Sequence, residues 1–545
     1  TIDLDRFDIR TKISNEIYYF ANDMEYVDSI FSDSFLKKYF LFDYQILSSH
    51  GFKLHSKIRT FDEIKSPPFE NEWGWYSTDI PPYCWLQDCQ EEEFLNRAKE
   101  IYKTFNFSSS YKKIILDTNM ICDKLNDFIA LHIRGGDIVY SNFRKHAGRQ
   151  ILEERFFPYE IALEIIKNHA NSNNKIIIFG QDVKSNMKLL NYIVKNNILP
   201  KNKIFTVDEF VNKSFSFLER AFFEINFMSK ANTIYSPENS AFSRTAMIIS
   251  GKNILIAYGK IFNIREQYNI IENNLFSLEL NHLQTARSLF YQYNLSLKLK
   301  MNLELSLKIL RKALSFDRDN DAYRIYMINI FFKKQKYNLI DRYLKFILNA
   351  RYESFLRTLC DDSLDVFQDY YKEYIHQAKK KFFYINFVAA YINIYNNNIY
   401  DALCCLDSMK NINSNNFFLA KIINQIKNHL CYNGEFRLKN SLQYKLGQEL
   451  LSIFLKGRRG FCRSQYIREK NKINSFIRCY NIKIPPLEVC YDYDNAKRIK
   501  GYLSYNLGRI VVSAHKSWYK GAYLLLPYRL YKEYRNFKQG KKKWQ

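Results

Sequence analysis

Between residues 125 and 275, short apolar runs alternate with amphipathic stretches, and few architectures accept that rhythm. Phe128-Ile129-Ala130-Leu131-His132-Ile133 reads as a buried strand. Lys175-Ile176-Ile177-Ile178-Phe179-Gly180, Lys203-Ile204-Phe205-Thr206, Thr233-Ile234-Tyr235 and Asn253-Ile254-Leu255-Ile256-Ala257 read as four more. Helical periodicity occupies Pro158–Asn168, Val183–Lys195, Leu218–Lys230 and Ser243–Ser250. Strands separated by helices at this interval imply a parallel, doubly wound sheet, because each crossover must return the chain to the same end. Ligands of such sheets bind at the carboxyl ends of the strands.

Two segments at those ends can carry chemistry. The first is His132-Ile133-Arg134-Gly135-Gly136-Asp137. An arginine just past a buried strand can fork onto a diphosphate, and the two glycines let backbone amides approach it. Arg134 would then neutralise charge building on a departing nucleoside diphosphate. His132 and Asp137 flank it, although a histidine can satisfy backbone groups and an aspartate after Gly-Gly can cap a turn. The second segment is Asn239-Ser240-Ala241-Phe242-Ser243, which opens a helix. Hydroxyls and free amides at a helix N-terminus suit an anion; N-capping by Ser240 or Ser243 is the ordinary structural alternative.

Taken together, the two segments resemble the GDP-fucose-using glycosyltransferases of the GT-B class, above all bacterial α-1,2-fucosyltransferases. The likeness rests on a His-x-Arg-x-Gly-Asp pattern (His132, Arg134, Gly136, Asp137), on Glu224 and Met228 in a following helix, and on Asn239, Ser240, Phe242 and Ser243. It spans about residues 125–260, and Gly135 stands where bacterial members often carry a second arginine. The resemblance implies inverting, metal-independent transfer from a GDP-sugar, fucose or a related deoxysugar or heptose, to a glycan acceptor. It also implies a donor site of His132, Arg134, Gly135, Gly136, Asn239, Ser240, Phe242 and Ser243, with no metal and no further cofactor. An inverting reaction calls for a base, usually a carboxylate. Asp137, Glu153, Glu154 and Asp182 lie near the expected sheet edge, and Arg134, Asp137 and Glu153 form the catalytic set considered first.

Flanking regions read differently. Residues 1–120 are a possible acceptor-side domain, with an aromatic loop from Ser66 to Trp85 and a helix over Glu91–Phe105. Residues 121–280 form the nucleotide-sugar-binding, Rossmann-like domain. Within 281–435, Leu303, Leu307, Leu310 and Leu314 share one helical face, and Leu310/Ala313 recurs as Leu344/Ile347 after 34 residues. That period suggests a degenerate, TPR-like all-α domain able to hold a protein partner; Ala402/Leu406/Met409 is a third version, out of phase. The fold class expected for the whole chain is therefore an α/β GT-B-like region, an all-α helical-repeat domain and a basic helical tail.

Charge separates the tail from the rest. Residues 436–545 hold 25 Lys or Arg against 6 Asp or Glu, so +19 of the chain's +25 resides there. The tail also repeats itself: Leu442-Gln443-Tyr444-Lys445-Leu446-Gly447 matches Leu503-Ser504-Tyr505-Asn506-Leu507-Gly508. Lys456–Arg459, Lys516–Gly521, Tyr523–Arg529 and Lys541–Trp544 interleave Trp, Tyr and Leu with Lys and Arg, the composition of an anchor on an anionic membrane surface. No recognised nucleic-acid module appears. Asp492-Tyr493-Asp494 reads as a surface loop rather than a metal site. No transmembrane helix, signal peptide, disulfide framework or zinc spacing is expected among these residues. The whole reads as a cytoplasmic transferase, peripheral on the inner face of a bacterial membrane, acting on a glycan or lipid-linked glycan of a surface polysaccharide. The competing reading is a non-catalytic helical scaffold carrying a degenerate nucleotide-sugar domain.

Overall fold

The structure is a computed structural model that describes residues 27–39, 52–53, 58–65, 75–76, 80–141, 144–145, 150–360, 366–378, 381–456 and 463–542. Ser66–Pro68, Gly457–Arg459, Lys543 and Trp544, and the side chains of Asp137 and Trp518, lie outside the described set. The chain divides into two compact units, Thr1–Met327 and Ile328–Gln545, and the division falls inside one helix, Asp321–Lys333. Helices predominate, and one five-stranded parallel sheet lies in the first unit.

That sheet is formed by β1 (Phe128–His132), β2 (Lys175–Phe179), β3 (Ile204–Thr206), β4 (Thr233–Ser236) and β5 (Leu255–Ala257) in the order β3-β2-β1-β4-β5. All neighbours are parallel; His132 pairs with Phe179, and Leu131 with both Ile178 and Tyr235. Every residue of β1 is buried, so both faces of the sheet are covered. On one face Phe128, Ala130, Ile177, Phe179 and Ile234 pack with α1 (Ser109–Leu125), Phe223, Phe227 and Met228 of a later helix, and Ala246. The apolar strands expected from the sequence are thus present, each within a residue or two of its anticipated limits.

Strand order fixes where a ligand can go. From β1 the chain winds outward to β2 and β3, then crosses back over β1 to reach β4 and β5. Successive loops leave β1 and β4 in opposite directions, which opens a crevice at their carboxyl ends. The elements around that crevice are α2 (Gly136–Tyr140), α3 (Gln150–Arg155), α4 (Tyr159–Asn168), α5 (Val183–Lys195), α6 (Phe217–Met228), α7 (Ala241–Ser250) and α8 (His282–Lys298). Local sequence sets their starts. Asp182 caps α5 by accepting from the Ser185 amide, and Ser216 and Glu219 form a reciprocal capping box on α6.

The second unit is all helical among its described residues. The repeat-period positions Leu310, Ala313, Leu344, Ile347, Ala402, Leu406 and Met409 are all buried, the first two in unit one and the rest in unit two. The stretch expected to be a surface loop at Asp492 does structural work instead. Its two carboxylate oxygens accept from the amides of Gly434 and Glu435 at 2.6 and 2.8 Å, so Asp492 caps the short helix Gly434–Lys439 from 58 residues away.

The internal repeat of the tail becomes a symmetric helix pair, Leu442–Lys456 against Leu503–Lys516. A Cβ added at Gly447 would lie 1.4 Å from the Ser504 carbonyl oxygen, and one at Gly508 would lie 1.7 Å from that of Gln443. Gln443 and Ser504 are equivalent positions of the two copies, so the helices run antiparallel about a local two-fold axis. Each glycine seats the backbone of the opposite copy, and neither can carry a side chain. Gly447→Ala or Gly508→Ala is expected to destabilise this unit by at least ~2 kcal/mol, since backbone cannot yield as a side-chain tip does. Urea unfolding of each variant measures it, and a loss within error of zero would refute the close approach.

Candidate functional site

The two sequence segments meet. The Nδ1 of His132, at the end of β1, shares a 2.5 Å hydrogen bond with the hydroxyl of Ser243 and lies 3.5 Å from that of Ser240. Ser240 is the N-cap of α7 and also accepts from the Ser243 amide at 3.4 Å. The Phe242 ring packs on the imidazole at a centroid distance of 5.3 Å. All three polar residues are buried. Their hydroxyls and imidazole are engaged with one another and join the end of β1 to the start of α7.

Donors for an anion come from the backbone around this joint. Ala241 and Phe242 are the first residues of α7, whose amides have no acceptor within the helix. Gly135 and Gly136 donate to no described group through their amides. A Cβ at Gly136 would fall 2.8 Å from the Gln181 Cβ, so the close packing of this loop requires glycine. Gly180 is more constrained still. Its φ is +156°, and a Cβ there would lie 2.4 Å from the carbonyl oxygen of Ile133. Arg134 emerges from the same loop, half-buried, its carbonyl accepting from the Phe157 amide at 3.1 Å.

The acidic candidates separate by environment. Asp182 is saturated: besides the Ser185 amide, it accepts from Ser185 Oγ and Tyr140 at 2.6 Å and from Gln284 at 2.8 Å. Glu154 accepts the Asn239 amide through its backbone, and its carboxylate lies 3.5 Å from Asn239 Nδ2. The Asn239 side-chain oxygen in turn accepts from Arg244. Glu153 receives Arg287 on Oε1 at 2.8 Å, while its buried Oε2 has no hydrogen-bond partner among the described residues. Glu224 is occupied by Arg220 at 2.7 Å, and Arg220 also holds Asp208; Met228 lies in the sheet core. Among the described residues no group of His, Cys, Asp or Glu side chains could hold a metal ion.

The residues that sequence reasoning missed come from α8, which it assigned to the helical repeats. Gln284 donates to Asp182 and reaches the Gly135 carbonyl at 3.4 Å, clasping the loops after β1 and β2. Arg287, 2% exposed, lies against the rings of Phe156 and Phe290 and reaches Glu153. Ser288 donates to Glu160 at 2.9 Å. A signal existed: an apolar stripe alone does not account for Gln284, Thr285, Arg287, Ser288, Gln292 and Ser296 on one helix, and all six are buried.

Burial pushes the carboxyl of Glu160 up to about 7, against the donated bonds from its own amide and from Ser288. Its Oε1 has no hydrogen-bond partner among the described residues. Because the folded value lies above that of the unfolded chain, this group's contribution is full below about pH 4.3 and declines as pH rises towards 7. Glu160→Gln is expected to remove that slope, leaving the variant more stable than the parent at pH 8 and no more stable at pH 4. Chemical unfolding at the two pH values checks it; equal slopes would refute the assignment.

Comparison with known proteins bears on the second unit. Residues 367–539 match a family described as a domain of unknown function, DUF8374. No curated protein and no solved structure matches the chain. The matched segment covers under half of the chain and includes none of the residues around His132.

Proposed function

We propose that the chain is a glycosyltransferase of the GT-B type that moves a sugar from a nucleotide-sugar, a GDP-linked deoxysugar or heptose, to a glycan acceptor with inversion. The observation that carries this reading is the bond between His132 and Ser243. It joins the loop bearing Arg134 to the helix start bearing Ala241 and Phe242, at the point where the strand order reverses. A diphosphate there would meet a guanidinium and up to four backbone amides. His132, Ser240 and Ser243 would act by holding that frame rigid, with Gly135 and Gly136 keeping the backbone accessible.

In the reaction, charge grows on the β-phosphate as the sugar–oxygen bond breaks. Arg134 and the amides would stabilise it without a metal, and would do so more strongly as the charge develops. The acceptor hydroxyl must lose its proton on the opposite face of the sugar. Glu153 suits that role best: Arg287 fixes its orientation, and its Oε2 has no hydrogen-bond partner among the described residues. Asp182 is too heavily hydrogen-bonded to serve. Asp137 remains a candidate by its sequence position alone.

Arg134→Lys keeps the charge and loses the planar fork. Transfer is expected to fall at least ~100-fold with an unchanged melting temperature, read by donor hydrolysis across GDP-, UDP- and dTDP-sugars. Retained turnover in the lysine variant would remove Arg134 from the site. A chain that turns over no donor and shows no thermal shift with GDP would favour the scaffold reading.

The tail supports work at a membrane surface. Leu524 is 86% exposed, and Tyr519, Leu525, Tyr528 and Tyr531 are exposed around it, beside Arg529, Lys532 and Lys538 of the helix Leu526–Lys542. Apolar tips beside cations fit an anionic bilayer interface. Among the described residues no helix is long and apolar enough to cross a membrane. Replacing Leu524 and Leu525 with Glu is expected to cut binding to phosphatidylserine vesicles at least ~10-fold. Unchanged cosedimentation would rule this surface out.

A further inference from the structure

The second unit contains a cavity of about 550 Å³ that the donor site does not use. Three helices wall it: Tyr337–Leu359, Phe383–Tyr395 and Phe417–Tyr432. Its size falls within the ~300–1,000 Å³ of small-ligand sites. The first helix is broken beside it. Arg351 leaves helical geometry (φ −144°, ψ 34°), so Tyr352–Leu359 sets off in a new direction, with Tyr352 and Leu356 on the cavity.

The lining has an unusual chemistry. Tyr352, Tyr391 and Tyr395 supply rings and hydroxyls, and burial pushes the Tyr352 phenol up to about 12, so it stays a donor. Asn424, Gln425 and Asn428 follow one another along a single helix and supply primary amides, each both donor and acceptor. Gln425 Oε1 is buried without a partner. Lys421 is held over the Tyr352 ring at 3.6 Å, and the lining's carboxylate, Glu353, stands one helical turn before Arg357. Only Leu356 and Cys360 are wholly apolar.

We infer that this cavity binds a short oligosaccharide. A sugar ring presents an apolar C–H face and a rim of neighbouring hydroxyls that each donate and accept. Tyrosine rings match the first and a row of amides matches the second. Two cations, Arg357 and Lys421, against one carboxylate, Glu353, suit a sugar bearing a carboxylate. A peptide fits less well, because helices offer no free strand edge to pair with its backbone.

The test uses the full chain on an array of defined oligosaccharides, neutral and uronic-acid-containing, printed beside an array of peptides, with no nucleotide-sugar present. Its outcome is therefore independent of the donor site. Capture by at least one oligosaccharide is expected. Asn424→Ala with Asn428→Ala, both exposed positions, is expected to weaken it about tenfold while the melting temperature stays the same. Tyr391→Phe, which keeps the ring and loses the hydroxyl, is expected to weaken it less than the double variant. Capture by peptides alone, capture of nothing, or an asparagine variant that binds like the parent would each overturn the inference.

Discussion

Much of the first unit's candidate chemistry hangs on one bond, 2.5 Å long, between an imidazole at the end of β1 and a serine in the first turn of α7. Without it the two loops would be neighbours by topology only, free to move apart as loops at sheet edges do. With it, the last residue of the central strand and the opening of a helix 108 residues later share one buried polar network. Burial makes the network demanding. Removing either partner would take the shortest bond from a buried polar network, a cost of ~1–3 kcal/mol. Geometry at the crevice is therefore fixed from inside the protein before any ligand arrives.

A second layer fixes what the first does not reach. Helix α8 runs past the loops that follow β1 and β2 and past α3 and α4, touching them with Gln284, Arg287 and Ser288. Arg287 illustrates the physics. A buried guanidinium is expensive to desolvate, and here it is compensated by two aromatic faces and one carboxylate. Such an arrangement is poor value as stability alone. It does hold Glu153 in one orientation, with the second oxygen left over.

How much of this could be seen in the sequence follows from what each signal depends on. The five strands were legible because β1 and β2 are nearly continuous apolar runs, as buried parallel strands must be. His132 and Ser243 were legible as motifs, but their pairing was not, since 111 residues separate them and only the strand order brings them together. Helix α8 reads with the helices after it because its polar residues face neighbouring loops instead of solvent, so its periodicity resembles theirs. Asp492 was read as a loop residue for a related reason: its partners, the Gly434 and Glu435 amides, are remote in sequence. Local patterns announce elements, whereas long-range polar bonds announce nothing until the fold is known.

The tail repeat shows the converse, a long-range contact written into a local pattern. Two six-residue copies would be unremarkable as separate helices. Their glycines, however, occupy the same place in each, and each fits against the backbone of the other copy. A two-fold pair needs its closest approach at equivalent positions, so a residue small enough for one helix must be small in both. Selection for the contact would then keep both glycines, whether or not the flanking side chains stayed alike. That explains why Gly447 recurs as Gly508 while the second copy has Ser504 and Asn506 in place of Gln443 and Lys445. The contact adds to the apolar packing of this strongly basic region, where Leu503, Leu507 and Ala514 are buried. Backbone-to-backbone contact needs no apolar side chains at the crossing, which leaves the outer surface free to carry the charge.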